Sequence, residues 1–363
     1  MRYLPWRYRV TLKDTTTKGV YMDHWISPEP TKFESEHPLF LCVLSNTDTA
    51  SIPGISAAGK SPELIDYTPA GDAELVTLGK TVCNAEPPMT DQSPTPAVIT
   101  RAALQLTGIP FMFINSGLKI IPSIPLLDVG AFPGRDIRTA QAVPDAGQIY
   151  ANALEMGRQI RKLSDLVIIG ESIPGGTTTA MAVLQAIGIN GRVSSSNSLN
   201  PLDIKAQVVG EAFSIAGIRF GDMAHDPMGA IEHFGDPMMP CVCGLMDGLQ
   251  DTRIVLAGGT QMMAVLALLD GLGIKGNISI ATTKFVAEDG TASFVETVSE
   301  MGFESYIADP GFDRSRYQGL RMYESGVIKE GVGAGGAMFL AGLMGIGQKE
   351  FREQVELVCD QVL

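Results

Sequence analysis

Short apolar runs that each break into glycine, hydroxyl or amide residues, with helical stretches between them, constrain this chain more than any other feature. Leu39 to Leu44 ends in Ser45-Asn46-Thr47-Asp48, and Pro110 to Ile114 ends in Asn115-Ser116-Gly117. Leu166 to Ile169 enters Gly170-Glu171, Arg253 to Leu256 enters Ala257-Gly258-Gly259-Thr260, and Ile278 to Ala281 enters Thr282-Thr283-Lys284. Such runs read as buried strands with polar carboxyl ends. Pro144 to Leu163, Thr177 to Ile187, Gln207 to Ala216, Gln261 to Leu272 and Ala292 to Met301 read as helices. Strands alternating with helices predict an α/β fold built on a parallel, doubly wound (Rossmann-like) sheet. Small molecules bind such sheets beyond the carboxyl ends of the strands, so the chemistry is expected there.

Composition narrows the function classes. Over 363 residues, 45% are hydrophobic and 18% charged, the balance of a compact protein with a large core. The formal charge of −13, without a Lys/Arg-rich run, argues against nucleic acid as a partner. No apolar stretch reaches the roughly 18 residues of a membrane span, and Met1 to Lys18 lacks a signal-type apolar region. A cytoplasmic protein is expected. The cysteines, Cys42, Cys83, Cys241, Cys243 and Cys359, are scattered and odd in number, which suits a reducing compartment. Cys241 and Cys243 lack the second half of a zinc ligand set, and His225 and His233, though near Asp222, Asp226, Glu232 and Asp236, follow no metal-binding pattern. No metal or cofactor is expected. Residues 1–38, mixed in character, read as an N-terminal extension, 39–345 as the α/β domain, and 346–363 as a C-terminal helix. Ala85 to Pro96 has the composition of a mobile linker.

The sharpest local signal is Gly170-Glu171-Ser-Ile-Pro-Gly175-Gly176-Thr177-Thr178-Thr179, a strand end and glycine turn opening a helix. Unpaired amides at a helix start, with glycines permitting close approach, make a phosphate cradle; the same residues also read as a well-capped helix start. The Walker lysine and spacing are absent. Glu171 either faces the sugar of a ligand held there or complements the helix dipole. A second signal is Glu330-Gly-Val-Gly-Ala-Gly-Gly-Ala337. A carboxylate among glycine and aliphatic neighbours is poorly solvated and gains basicity, unless it merely sits on a turn facing water. A third is the hydroxyl-rich Arg192 to Lys205, in which Lys205 is either a point charge for phosphate or a surface lysine.

Together, Gly170-Glu171 with its Gly-Gly-Thr-Thr-Thr turn, Lys205, and the Glu330-Gly-x-Gly loop resemble the nicotinate-nucleotide:dimethylbenzimidazole phosphoribosyltransferases. The resemblance is to the divergent branch of that superfamily found in archaea and cyanobacteria, and it runs from about Asp165 to Gly345. It implies a parallel α/β domain, a small helical domain assembled from both chain ends, and a homodimer. It also implies transfer of phosphoribosyl from nicotinate mononucleotide to a heterocyclic base, a benzimidazole or purine, in cobamide synthesis. By the same resemblance Glu330 is the general base and Glu171 the second active-site glutamate. Gly175, Gly176, Thr177, Thr178 and Lys205 are the phosphate-binding residues. The chain departs from the family at Pro174-Gly-Gly-Thr, where Gly-Asn-Thr is usual, and at Ser194 to Ser196, where Gly-Thr-Gly is usual. A non-catalytic nucleotide binder of this fold, or an enzyme acting on another glycosidic bond, are the competing expectations.

Overall fold

The computed structural model describes residues 24–30, 33–56, 62–84, 86–90, 92–196 and 199–362. Ten strands are β1 (Ile26–Ser27), β2 (Pro38–Leu44), β3 (Met89–Thr90), β4 (Ser93–Pro94), β5 (Phe111–Asn115), β6 (Leu127–Asp128), β7 (Leu166–Ser172), β8 (Arg253–Ala257), β9 (Ile278–Thr283) and β10 (Glu304–Ala308). Eight of them form one sheet in the order β1-β10-β9-β8-β7-β2-β5-β6. Every neighbouring pair is parallel except β1 with β10. The sheet is therefore the expected parallel one, with the expected strands at its centre.

Strand periodicity explains how both faces are buried. In β2, Leu39, Leu41 and Val43 enter one core while Phe40, Cys42 and Leu44 enter the other. β7 divides likewise, Val167 and Ile169 opposing Leu166 and Ile168. The first core is closed by helices Ala146–Ile160, Gly176–Ala186, Leu202–Ala216, Met238–Leu249 and Thr260–Leu272. The second is closed by Thr68–Leu78, Ala97–Thr107, Ala334–Leu343 and Gln348–Val362, so helices from both halves of the chain share this face. Trp25 stacks on Phe351 with ring centroids 5.0 Å apart, which ties the end of the N-terminal extension to the last helix. The remainder of the expected extension, residues 1–23 and 31–32, lies outside the described residues.

Strand order fixes where the crevice lies. From β2 the chain moves outward to β5 and β6, then returns to the other side of β2 as β7 and continues through β8, β9 and β10. The reversal falls between β2 and β7, whose carboxyl ends Leu44 and Ser172 are register partners. Crossing this point, the loop before helix Ala334–Leu343 passes over β7 at Gly170 and Gly333. A Cβ on Gly170 would lie 2.7 Å from the Gly333 Cα, and one on Gly333, at φ +66°, would lie 2.9 Å from the Gly170 Cα. Backbone-to-backbone approach this close admits no side chain. Gly333→Ala is expected to lower unfolding free energy by about 1–3 kcal/mol, or more through its left-handed backbone, as measured by urea denaturation.

Candidate active site

Three carboxyl groups converge on a cleft of about 720 Å³, mouth included, at the switch point. Glu171 arrives at the end of β7 and is almost fully buried, at 2% exposure. Its main-chain carbonyl accepts from the Val332 N–H at 2.8 Å, and its Oε2 accepts from the Gln261 side-chain amide at 3.3 Å. Gln261, in the first turn of Thr260–Leu272, also donates to the Ile173 carbonyl at 3.2 Å.

Glu330 comes from the glycine loop and is half-buried. Its Oε1 accepts from the Gly331 and Gly335 N–H groups, each at 3.1 Å, and Oε2 accepts from Thr283 N–H at 3.2 Å. Gly335 has no room for a Cβ, which would sit 2.4 Å from Thr282 Cα and 2.8 Å from Glu330 Oε2. The glycines after Glu330 thus let amides reach its carboxylate from below. The side chain is anchored in the cleft, and the alternative of a turn residue facing water does not describe it.

Asp72 is the third carboxyl, and sequence reasoning missed it. It lies on helix Thr68–Leu78 at 3% exposure, with Oδ1 accepting from Thr95 Oγ1 at 2.6 Å and Oδ2 from Ser172 Oγ at 2.8 Å. The segment Tyr67-Thr-Pro-Ala-Gly-Asp72 was the available signal: an acid in an otherwise small and apolar stretch.

Burial sets the electrostatics. Desolvation pushes Glu171 up to about 8, reinforced by neighbouring Glu330 and Asp236. Desolvation pushes Glu330 up to about 7 against the backbone N–H groups that favour its anion. Asp72 rises to about 7 by desolvation, opposed by the Thr95 and Ser172 hydroxyls.

The other end of the cleft is the turn Pro174–Thr177. Gly175 has φ +79° and abuts Ala50, whose Cα would lie 2.8 Å from an added Cβ; one on Gly176 would strike the Gln261 amide at 2.3 Å. Helix Gly176–Ala186 begins without a side-chain cap. The Gly176 and Thr178 N–H groups close turns on Ile173 and Gly175, and the Thr177 N–H has no acceptor among the described residues. Thr177 lines the cleft; Thr178 does not, being fully buried with a hydroxyl that has no partner among the described residues. The Thr179 hydroxyl bonds to Asp236.

Lys205 lies one layer behind the cleft. It is fully buried in the first turn of Leu202–Ala216, and its ammonium donates to the Ser194 carbonyl at 2.8 Å and to Asn200 Oδ1 at 3.2 Å. Desolvation, then the nearby Lys329 charge, pushes it down to about 7. Lys329 donates to the Ser195 carbonyl at 2.9 Å and pairs with Asp289 at 2.9 Å. The two lysines hold the back of the segment whose Ser195 and Ser196 line the cleft. Ala85 to Pro96, expected as a linker, carries the β3–β4 hairpin, and Pro88, Met89, Thr90, Thr95 and Pro96 form a cleft wall. His225 is exposed at the opposite end of the strands, His233 bonds to the Ala140 carbonyl at 2.7 Å, and Cys241 and Cys243 are buried thiols. No group of metal-ligating side chains occurs among the described residues.

Comparison with known proteins places the chain in a family. It is 54% identical over 341 residues to the UPF0284 protein of Methanosarcina mazei, covering 92% of this chain and 97% of that one. To the UPF0284 protein of Methanothermobacter thermautotrophicus it is 44% identical over 335 residues, covering 90% and 93%. The chain belongs to the UPF0284 family. No family model matches it. The UPF0284 chain shares its fold with a solved structure of nicotinate-nucleotide-dimethylbenzimidazole phosphoribosyltransferase from Thermus thermophilus. Their TM-score is 0.56 at 14% identity, covering 90% of this chain and 84% of that one. A second structure, CobT from the same organism, gives 0.55 at 15% identity, covering 89% and 84%. The resemblance read from the motifs thus meets an archaeal family and the expected fold.

The buried carboxyls have a consequence for stability. The folded UPF0284 chain holds protons on Asp72 and Glu330 to about 7 and on Glu171 to about 8, whereas the unfolded chain releases them near 3.8 to 4.5. Between those limits the native state binds more protons at these three groups, so their contribution to stability is full below about pH 4, falls as pH rises, and is lost above about 8. Glu171→Gln is expected to make the decline of Tm between pH 5 and pH 8 shallower than in the unaltered protein, read by calorimetry across that range.

Proposed function

We propose that this UPF0284 protein is a pentosyltransferase that moves phosphoribosyl from nicotinate mononucleotide to a benzimidazole or purine base, forming the nucleotide-loop precursor of a cobamide. The observation that carries the reading is the convergence of Glu171 and Glu330 beside an uncapped, glycine-lined helix start within one cleft. The shared fold with the Thermus thermophilus structures supports it.

The helix start at Gly175 to Thr177 holds the phosphate, aided by Ser195 and Ser196, and C1′ then lies by the carboxyls. A ring nitrogen of the base attacks C1′. The bond from C1′ to the nicotinate ring nitrogen breaks with its electron pair going to nicotinate, so the pyridinium charge is discharged. Glu330 takes the proton from the other ring nitrogen of the base. Its basicity near neutrality suits a general base, an effect worth about 10²–10⁴-fold. The Gly331, Gly335 and Thr283 N–H groups favour the anion at Glu330, whereas burial and the neighbouring Glu330 and Asp236 charges favour a protonated Glu171, so Glu330 is the group left free to accept. Protonated Glu171 donates to the ribose without repelling the phosphate.

The protein is proposed to act as a cytoplasmic homodimer, with the helices from both chain halves as its small helical domain. Among the described residues no helix is long and apolar enough to cross a membrane. Incubation with nicotinate mononucleotide and a panel of bases is expected to release nicotinate and form a base ribotide. Glu330→Gln is expected to lower kcat by about 10²–10⁴-fold while nucleotide affinity by calorimetry stays within severalfold. Tight nucleotide binding with no product from any base would instead identify a non-catalytic binder.

A further inference from the structure

The cleft has two unlike ends. The helix start and Ser195–Ser196 form one; the other is the wall made by helix Thr68–Leu78 and the β3–β4 hairpin. Gly331 packs against Pro96, a Cβ there lying 3.4 Å from the proline ring, so this wall adjoins the Glu330 loop. With phosphate at the helix start and C1′ at the carboxyls, the attacking heterocycle lies along the wall. Pro88, Met89 and Pro96 offer it apolar surface suited to a flat ring. Asp72 breaks that surface.

We propose that Asp72 selects the acceptor base, favouring heterocycles that carry a hydrogen-bond donor, an amino or hydroxyl group, on the edge remote from the attacking nitrogen. This rests on the phosphoribosyl-transfer reading of the cleft. A carboxylate offers about four acceptor positions, and the Thr95 and Ser172 hydroxyls take one on each oxygen, leaving about two to face the cleft. At 3% exposure Asp72 has almost no water to occupy them. An N–H or O–H on the base completes the set. A methyl group in the same place strands a buried acceptor, the kind of mismatch by which polar sites reject apolar analogues.

The experiment compares 5-aminobenzimidazole with 5-methylbenzimidazole, near-isosteres, as acceptors from nicotinate mononucleotide. The unaltered protein is expected to favour the amino compound by tenfold or more in kcat/KM. Asp72→Asn, which keeps the shape but replaces one acceptor oxygen with a donor, is expected to shrink that ratio at least fivefold. Equal or better use of the methyl compound by the unaltered protein overturns the proposal. So does an Asp72→Asn variant that slows both acceptors by the same factor, the signature of a purely structural residue. If the variant fails to fold, the acceptor ratio of the unaltered protein decides alone. Nicotinate release with neither acceptor nor any other base overturns the phosphoribosyl-transfer reading and the acceptor assignment with it, whereas release without discrimination removes the Asp72 role only.

Discussion

The site depends on one backbone crossing, the contact of Gly170 with Gly333. It lets the loop carrying Glu330 descend onto the end of β7, where the Val332 N–H bonds to the Glu171 carbonyl and places two distant acids in one cleft. A side chain at either glycine would lift the loop by more than the length of a hydrogen bond tolerates. Helix Ala334–Leu343 then starts directly beneath Glu330 and gives its carboxylate amide donors. The same crossing therefore sets both the distance between the acids and the solvation of one of them.

Charge is managed by burial and by peptide dipoles. Three carboxyls line the cleft, and none of its described lining residues is Lys, Arg or His. An anionic ligand is tolerable there because desolvation raises all three acids from their ordinary range, Glu171 to about 8, so the cleft does not carry three full negative charges at neutrality. Positive potential comes from the helix start and, one peptide removed, from Lys205 and Lys329 on the Ser194 and Ser195 carbonyls. Asp289 neutralises the Lys329 charge directly, while Lys205 is held by the Ser194 carbonyl and the Asn200 side chain.

The central strands were legible because short apolar runs that break into glycine and hydroxyl residues and alternate with helical stretches suit a sheet buried on both faces. Glu171, Glu330 and the Gly175–Thr177 turn were legible because an acid next to several glycines is unusual in a strand-to-helix junction. Helix Met238–Leu249 was not, since burial on nearly every side leaves no polar face to mark its period. β10 was missed because it mixes exposed and half-buried residues, with only Tyr306 and Ala308 buried, so it carries no continuous apolar run. Asp72 escaped because its partners lie 23 and 100 residues away, a relation no local pattern contains. Lys205 shows the converse: its place at a helix start was readable, but the direction of its ammonium was set by the loop it supports.

A crystal structure of the protein with nicotinate mononucleotide bound tests this arrangement most directly. The account requires the phosphate on the Gly175–Thr177 amides, with C1′ lying between the carboxyl groups of Glu171 and Glu330. A phosphate seated elsewhere, or a ribose turned away from both acids, would contradict it.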